Sequence, residues 1–534
     1  MEIIDYIIVG SGCTGAMAAE TLSQSGKRVL VIDVGLKNDN QNESTNDFIS
    51  KRLNENQQSD FFLGEEFDAL SEITHPNIPQ QMAQRKFMTE LTDKFLSVDS
   101  ANFIPVESLA LGGLGNGWGL GSCVFSANEL RKVGLSSSMM NESYKTIAQR
   151  IGVSGVKNDD VSTFCHQNQI DLQPPIQLNP SAESLYNKYQ RQRAYFHQQK
   201  LLIGQPSIAL LTENKDERQA YAYKDLDFYI NDGNSAYRPA ITIQDLLKKG
   251  KIEYQKSYLA LRFWEEKDYT VLECLHIETH KKKLFYTTKL ILSASTLSTA
   301  RIVMRSFQQQ EKLPILCNAY TYMPMVYLPF IGKKNIDQCS GLVQLAMFYD
   351  RKSDHSDVPM ASIYNYRSML NFRILKQMPL NYADGMKFLK LMIPALFIAG
   401  IFHPANYQAQ NFIQLQKSTS LTGDTLLTNY TFEGNEANEI LATEKLFAKA
   451  FYKLNCLILK KIRTNTGTSI HYAGTLPFSE NEQLYHLSPE GKLYGTQRVF
   501  VADGSGFKFL SGKGLTLSLM ANAQLVAQNV MKNV

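Results

Sequence analysis

The chain has 534 residues, of which 44% are hydrophobic and 20% charged, and its formal net charge is +4. This length predicts two or more structural domains, and the small net charge, without a dense basic block, excludes nucleic acid as an expected partner. The seven cysteines form no CxxC pair, which argues against a zinc site or a disulfide framework and favours a reducing compartment. Because a strand-like run begins at Ile3, we expect no leader segment and a cytoplasmic protein.

The organising stretch is the amino terminus, where the apolar run from Ile3 to Val9 leads into the turn GSGCTG and a helix-like segment. In this order, Gly10 permits a sharp turn, Gly12 lets backbone amides approach a pyrophosphate, and Gly15 allows the helix to pack closely on the strand. The amides at the helix start then face the phosphates. We predict that this unit binds the ADP half of a dinucleotide, and by itself it does not separate FAD from NAD.

An acidic residue completes this unit. A second strand, from Arg28 to Ile32, ends in Asp33, which follows the last glycine of the turn by 18 residues. A carboxylate at this place accepts hydrogen bonds from both ribose hydroxyls of an adenosine and repels a 2′-phosphate. We assign Cys13 and Thr14, at the start of the helix, to the same cofactor site.

A second glycine-rich segment, from Ser108 to Cys123, reads SLALGGLGNGWGLGSC. Such glycine density is incompatible with a stable helix or an ordinary strand, and it is typical of backbone that touches a ligand closely. Gly112 and Gly113 would run beside a cofactor, with Asn116 offering an amide and Trp118 an apolar face. The alternative is a flexible loop, which the interleaved leucines disfavour.

The middle of the chain predicts a change of architecture. Three short β runs, the apolar strand Leu290 to Ser293 and a helix from Thr296 to Ser306 indicate a return to the first sheet. Residues 311 to 460 instead contain strand-like pieces typical of an antiparallel sheet. We therefore predict an α/β fold with a discontinuous Rossmann-like domain (1–125, 236–310 and 461–534), an α+β substrate domain on an antiparallel sheet (311–460) and an unassigned insertion (126–235).

One apolar stretch, Leu391 to Phe402, is uncharged over 12 residues and contains Pro394. It is too short to cross a bilayer. We interpret it as a buried helix or a wall of the substrate cavity; contact with a membrane surface or a hydrophobic substrate is the alternative.

The last part of the chain returns to the cofactor. The strand Val499 to Ala502 delivers Asp503 and Gly504 to the carboxyl end of a parallel strand, where α/β sheets hold their ligands. A terminal helix begins near Thr516, so its amide-rich end points to the same place.

These motifs, together with GGLGNGW, LILSASTLSTARIV, HYAGT and LTLSLMANAQLVAQNV, resemble the glucose-methanol-choline (GMC) class of FAD-dependent oxidoreductases in order and spacing along most of the chain. GGLGNGW is most similar to the pyranose oxidase branch. The resemblance implies FAD as the cofactor, with the first motif on its ADP part. It also implies that Gly112 and Gly113 lie beside the pyrophosphate and flavin, Asp503 and Gly504 near the ribityl chain and pyrophosphate, and His471 opposite the flavin N5.

Two departures from the family pattern stand out. Where pyranose oxidases attach the flavin through a histidine, this chain has Gly117, so we expect a non-covalent FAD. The family also pairs its catalytic histidine with a second His or Asn before the last helix, and the matching stretch here holds Lys513. Lys513 would stabilise an alkoxide in that role, or the role is vacant.

The resemblance implies oxidation of the CH-OH group of a sugar-like or other small-molecule alcohol. His471 would take the hydroxyl proton, since a free imidazole has a pKa of about 6.5, while flavin N5 takes the hydride. Two alternatives stay open: a flavoprotein acting as a reductase, isomerase-like catalyst or subunit of a larger assembly, and an NAD-dependent dehydrogenase. The substrate, the electron acceptor and the oligomeric state do not follow from the sequence.

Overall fold

The computed structural model describes residues 2–37, 83–167, 169–223, 232–308, 311–334, 340–365, 375 and 378–532. The strands, numbered along the chain, are β1 (Ile3–Val9), β2 (Val29–Ile32), β3 (Val98–Ser100), β4 (Leu201–Gly204), β5 (Glu253–Gln255), β6 (Tyr258–Glu265), β7 (Thr270–His276), β8 (Lys282–Leu292), β9 (Leu313–Pro314), β10 (Leu316–Cys317), β11 (Tyr320–Tyr327), β12 (Leu345–Tyr349), β13 (Met360–Asn365), β14 (Leu396–Phe402), β15 (Ala405–Asn406), β16 (Phe412–Lys417), β17 (Asp424–Asn429), β18 (Cys456–Ile458), β19 (Ile462–Arg463), β20 (Tyr472–Ala473), β21 (Val499–Val501) and β22 (Phe509–Leu510). The α-helices are α1 (Cys13–Leu22), α2 (Thr92–Phe95), α3 (Ala127–Val133), α4 (Ser137–Ile151), α5 (Ser162–Cys165), α6 (Pro180–Arg191), α7 (Arg193–Gln198), α8 (Pro239–Lys248), α9 (Thr296–Phe307), α10 (Tyr382–Met392), α11 (Gly434–Lys453) and α12 (Thr516–Lys532).

A mainly parallel sheet holds the two ends of the chain together. Its strands run in the order β5-β2-β1-β8, all parallel, and β21 also pairs in parallel with the end of β8. β7 and β6 extend the sheet from the first half of β8 in antiparallel fashion. Every residue of β2 is buried, as expected for a parallel strand covered on both faces. The terminal helix α12 packs against α1 and α4.

A second sheet is antiparallel, with the order β18-β11-β14-β13-β12-β4. Its edge strand β4 comes from the stretch between residues 126 and 235. On one face, Met323, Ile363 and Ile401 pack with Phe447 and Phe451 of α11 in a buried core. Because side chains alternate along a strand, the intervening residues of β11, β13 and β14 point to the opposite face. The fold class is the predicted one: α/β with a second, antiparallel sheet.

The apolar stretch from Leu391 to Phe402 is a strand over most of its length, so the predicted buried helix is wrong, whereas Ile398 and Phe402 of this strand line the cavity described below. Leu391 lies in the last turn of α10, and Ile393–Ala395 form one 3-10 turn. The remaining residues form β14. β14 lies between β11 and β13 and is therefore apolar on both faces. Among the described helices, none combines the length and the apolar character that a membrane crossing needs.

Candidate active site

A cavity of about 830 Å³ is lined by residues from both large sheets. Its wall includes the turn after β1, the glycine-rich segment, the residues after β8 and β21, one face of β11, β13 and β14, and the start of α12. This volume lies in the range of about 300 to 1,000 Å³ that is typical of small-molecule and cofactor sites.

The turn after β1 presents the bare amino end of α1 to the cavity. Gly10 has a φ of +98°, and a Cβ at Gly15 would overlap the Gly10 carbonyl oxygen, so both glycines are required by the close turn. Gly12 precedes the helix without a side-chain cap, and no atom lies within 4 Å of the position of its missing Cβ. Cys13 and Thr14 line the same wall. The free amides of this helix end can receive an anionic group such as a pyrophosphate.

Ser11, which the sequence reasoning did not single out, connects the two glycine-rich motifs. Its hydroxyl donates to the Asp33 carboxylate and accepts the backbone N–H of Gly112 at 2.9 Å. The Ser11 backbone N–H also donates to Asp33 at 3.2 Å. Burial raises the pKa of the Asp33 carboxyl to about 6, and the hydrogen bonds from Ser11 oppose that rise. Asp33 is thus held at the edge of the cavity with acceptor capacity toward it.

The glycine-rich segment pairs with the chain after β2 through a parallel bridge between Ala110 and Leu36, and it turns into the cavity. Gly113, Gly117 and Trp118 line the cavity, whereas Gly112 and Asn116 do not. The Asn116 side-chain amide donates to the carbonyls of Leu111 at 2.8 Å and Gly113 at 2.9 Å. Asn116 therefore shapes the loop, and it is the neighbouring backbone that faces the cavity.

Asp503, after β21, faces the cavity with its carboxylate already engaged. Its two oxygens accept the hydroxyls of Thr299 and Ser505, both at 2.6 Å. Gly504 and Thr516, the first residue of α12, lie beside it in the wall. These contacts join the start of α9 to the last segment of the chain.

His471 lies in the cavity wall immediately before β20, and Asn318 follows β10. β10 and β20 are antiparallel neighbours, so the next pair in register brings Asn318 opposite His471. His471 Nδ1 lies 3.0 Å from Asn318 Oδ1. The Asn318 amide nitrogen donates to the carbonyls of His403 at 2.7 Å and Ser511 at 3.2 Å. Since this fixes Oδ1 as the acceptor, we assign the ring proton to Nδ1, which leaves Nε2 unprotonated.

Burial sets the protonation state of His471. It lowers the pKa of the imidazole to about 4, because a buried ring loses the hydration that stabilises its charged form. The ring stacks on Phe402 with a centroid distance of 4.5 Å. The preceding residue, Ile470, has a φ of +63°, which is strained for a β-branched side chain. The protein thus holds a neutral imidazole in a conformation that the free chain disfavours.

Lys513 does not line the cavity. Its ammonium group pairs with Glu129 at 2.6 Å, and neither side chain has any solvent exposure. It also donates to the carbonyls of Val124 at 2.8 Å and Phe164 at 3.4 Å. These partners favour a structural role for Lys513 over the catalytic role predicted from the sequence. The neighbouring Gly514 is the residue that reaches the wall.

The hydroxyl of Ser293 is a buried polar group in the cavity wall. The buried Ser293 hydroxyl, directly after β8, has no hydrogen-bond partner among the described residues. An unpartnered buried hydroxyl is costly unless a ligand satisfies it. Together with the uncapped α1 and the open side of Gly12, it fits a phosphate- and ribose-bearing cofactor.

The comparisons with known proteins agree with this architecture. Residues 414–523 match the family model for GMC oxidoreductase. A solved structure, pyridoxine 4-oxidase from Mesorbium loti, shares the fold with a TM-score of 0.60 and 11% sequence identity, over 98% of each chain. No curated protein matches the chain in sequence.

The GMC oxidoreductase match covers the last part of the chain and agrees with the family that the motifs along the chain resemble. The matched family model and the shared fold support an FAD-dependent oxidoreductase. The similarity to the pyranose oxidase branch stays a prediction.

Proposed function

We propose that the protein oxidises the CH-OH group of a small-molecule alcohol with a non-covalently bound FAD, and that His471 is the base. The observation that carries this proposal is the neutral His471, whose Nε2 is unprotonated in the wall of a cofactor-sized cavity.

The wall supplies groups for each part of FAD. The amides at the start of α1 would hold the pyrophosphate and Asp33 the adenosine ribose, and the Asp503 and Gly504 region would lie along the ribityl chain. Gly117 offers no side chain for a covalent flavin link. When bound, FAD supplies the acceptor for the hydride of the carbinol carbon.

His471 would accept the proton of the substrate hydroxyl on Nε2. Asn318 holds the opposite nitrogen, so the ring keeps the tautomer in which Nε2 has a free lone pair. Desolvation keeps the imidazole neutral before the substrate arrives. A positioned general base of this kind contributes roughly 10²- to 10⁴-fold in rate.

The test is anaerobic mixing of the purified protein with a panel of alcohols, with flavin absorbance as the readout. The panel should include pyridoxine, because the solved structure of similar fold is a pyridoxine 4-oxidase. His471→Ala should slow flavin reduction by roughly 10²- to 10⁴-fold, whereas His486→Ala, outside the cavity, should leave it unchanged. Equal bleaching in His471→Ala and wild type would contradict the assignment of the base.

A flavoprotein that does not oxidise alcohols is the second candidate. The ion pair of Lys513 with Glu129, at the place of the family's second His or Asn, motivates it. Flavin reduction by a reduced nicotinamide, but by no alcohol, would favour this reading. Flavin absorbance in the purified protein would exclude an NAD-dependent dehydrogenase.

A further inference from the structure

Three tyrosines gather on the cavity face of the antiparallel sheet. Tyr320 and Tyr322 alternate along β11, Tyr364 lies on β13, and all three line the cavity. β14 runs between the two strands and places Gly400 opposite Tyr322 and Ile398 opposite Tyr364. The three side chains therefore surround the middle of β14.

Gly400 is the reason that their hydroxyls can meet. A Cβ at Gly400 would overlap the Tyr320 hydroxyl oxygen, so the phenol of Tyr320 lies across the glycine. There burial, and then the neighbouring Tyr322 and Tyr364, raise the pKa of the Tyr320 hydroxyl. A phenol hydroxyl both donates and accepts, so the group can reorient toward a ligand oxygen or nitrogen. We call these three residues the tyrosine cluster.

Phe402 separates the tyrosine cluster from His471. Its ring lies 4.2 Å from the Tyr320 ring on one side and 4.5 Å from the imidazole on the other, measured between ring centroids. His471 and the tyrosine cluster therefore line one cavity, with Phe402 between them. The cavity thus offers two polar ends with an aromatic surface between them.

The rest of this face is uncharged and mainly apolar, with Ser362 and Asn365 of β13 as its further polar side chains. Pro324, Met360 and Ile398 complete the wall between the tyrosines. β11, β13 and β14 are fully described, and none of the cavity-lining residues on them is charged. A charged substituent would lose its hydration here without an ionic partner, which is strongly unfavourable. The hydroxyls of a sugar that lie against Pro324, Met360 and Ile398 would lack partners.

We propose that the tyrosine cluster is a specificity subsite for an uncharged aromatic alcohol, and that it hydrogen-bonds an oxygen or nitrogen substituent remote from the carbinol group. The proposal rests on the proposed function, because it places the carbinol group of this substrate at His471. It names Tyr320, Tyr322 and Tyr364 as residues that select the substrate.

The test compares anaerobic flavin reduction by benzyl alcohol, 3- and 4-hydroxybenzyl alcohol, and glucose. In the wild type, kcat/KM for the better hydroxybenzyl isomer should exceed that for benzyl alcohol by about five- to tenfold, the value of one or two neutral hydrogen bonds. Glucose should be slower than both. In the triple variant Tyr320→Phe, Tyr322→Phe, Tyr364→Phe, that hydroxybenzyl alcohol and benzyl alcohol should react equally. A wild-type preference for glucose, or a hydroxyl preference that survives in the triple variant, overturns the proposal.

Two further variants distinguish an effect of the tyrosine cluster from a general disturbance of the sheet. Gly400→Ala should also abolish the hydroxyl preference, because its methyl group displaces the Tyr320 hydroxyl. Tyr327→Phe should retain it, since that tyrosine lies on the same strand but bonds Ser184 outside the cavity. Loss of the preference in Tyr327→Phe, or its retention in Gly400→Ala, argues against the subsite.

A binding measurement keeps this proposal distinct from the proposed function. Acetophenone and 4-hydroxyacetophenone have no carbinol hydrogen to lose, and their affinities can be measured by calorimetry. Wild type should bind the hydroxylated ketone about fivefold more tightly, and the triple variant should bind both ketones equally. If no alcohol reduces the flavin but this difference is found, the proposed function fails and the subsite stands. Equal binding by wild type overturns the subsite.

Discussion

At the level of single residues, the Asn318 amide decides which imidazole nitrogen of His471 is free. Its oxygen acts as an acceptor toward His471, because its nitrogen already donates to two backbone carbonyls. The same fixed amide also explains why a neutral histidine can be held in one orientation without a carboxylate beside it. Replacing the amide by a charge should therefore change the chemistry of the ring.

The first prediction concerns pH. A base works in its neutral form, and burial lowers the pKa of His471 to about 4. The rate of flavin reduction should therefore stay constant from about pH 8 down to about pH 5 and fall only as the pH passes below that range. The measurement is kcat/KM of the anaerobic reductive reaction against pH. A decline centred near the ordinary histidine pKa, about 6.5, would show that the ring is hydrated.

The second prediction concerns Asn318→Asp. A carboxylate next to the imidazole favours the charged ring, so the acid limb of the pH profile should move upward by about 1 unit or more. Asn318→Ala is the matched control, because it removes the same amide bonds without adding a charge. Its rate should fall while its acid limb stays near that of wild type. An equal shift in both variants would mean that the charge is not the cause.

At the level of secondary-structure elements, the third prediction tests how the glycine-rich segment keeps its shape. Asn116→Ala removes two hydrogen bonds to backbone carbonyls of the segment, one buried and one partly buried, and should cost about 1 to 3 kcal/mol. Since the segment lines the cavity, FAD should bind more weakly, as measured by titration of the apoprotein. Asn128→Ala, which loses exposed hydrogen bonds on α3, is the control. Unchanged FAD affinity in Asn116→Ala would show that the shape of this segment does not affect FAD binding.

The elements around the first turn could be predicted from local pattern. The run from Ile3 to Val9, the glycine turn and Asp33 lie within one short segment, so spacing alone determines their arrangement. The stretch from Leu391 to Phe402 could not be assigned in this way. A short run that is apolar throughout has no period, and a strand buried on both faces looks like a buried helix.

The residues around His471 illustrate the same limit. His471 was identified through its motif, whereas Asn318 is 153 positions away and meets it only through the pairing of β10 with β20. The alternation of Tyr320 and Tyr322 predicted a strand from the sequence alone. The space that the Tyr320 hydroxyl occupies depends on Gly400 of another strand. Such neighbours depend on strand order, which spacing along the chain does not encode.

At the level of the whole molecule, Lys513 and Glu129 link distant parts of the chain in a fully buried ion pair. Ser511 adds a hydrogen bond to the same carboxylate. Removing one member of such a pair leaves the other buried and uncompensated. The pair therefore fastens α3 to the loop before α12.

The fourth prediction follows from this pair. Lys513→Met should lower stability by about 3 to 5 kcal/mol, as measured by thermal or urea unfolding. Lys145→Met, which breaks an exposed pair with Glu142, should change stability little. If Lys513→Met is as stable as wild type but reduces flavin far more slowly, the catalytic role predicted from the sequence is the better assignment.

The pairing of β21 with β8 has a consequence for biosynthesis. During translation, β1 and α1 emerge from the ribosome hundreds of residues before β21 and α12, which complete the same layer. The first sheet therefore stays incomplete, with apolar surface exposed, until nearly the entire polypeptide has left the exit tunnel. Chaperone dependence during translation, and loading of FAD only after chain release, are the expected result.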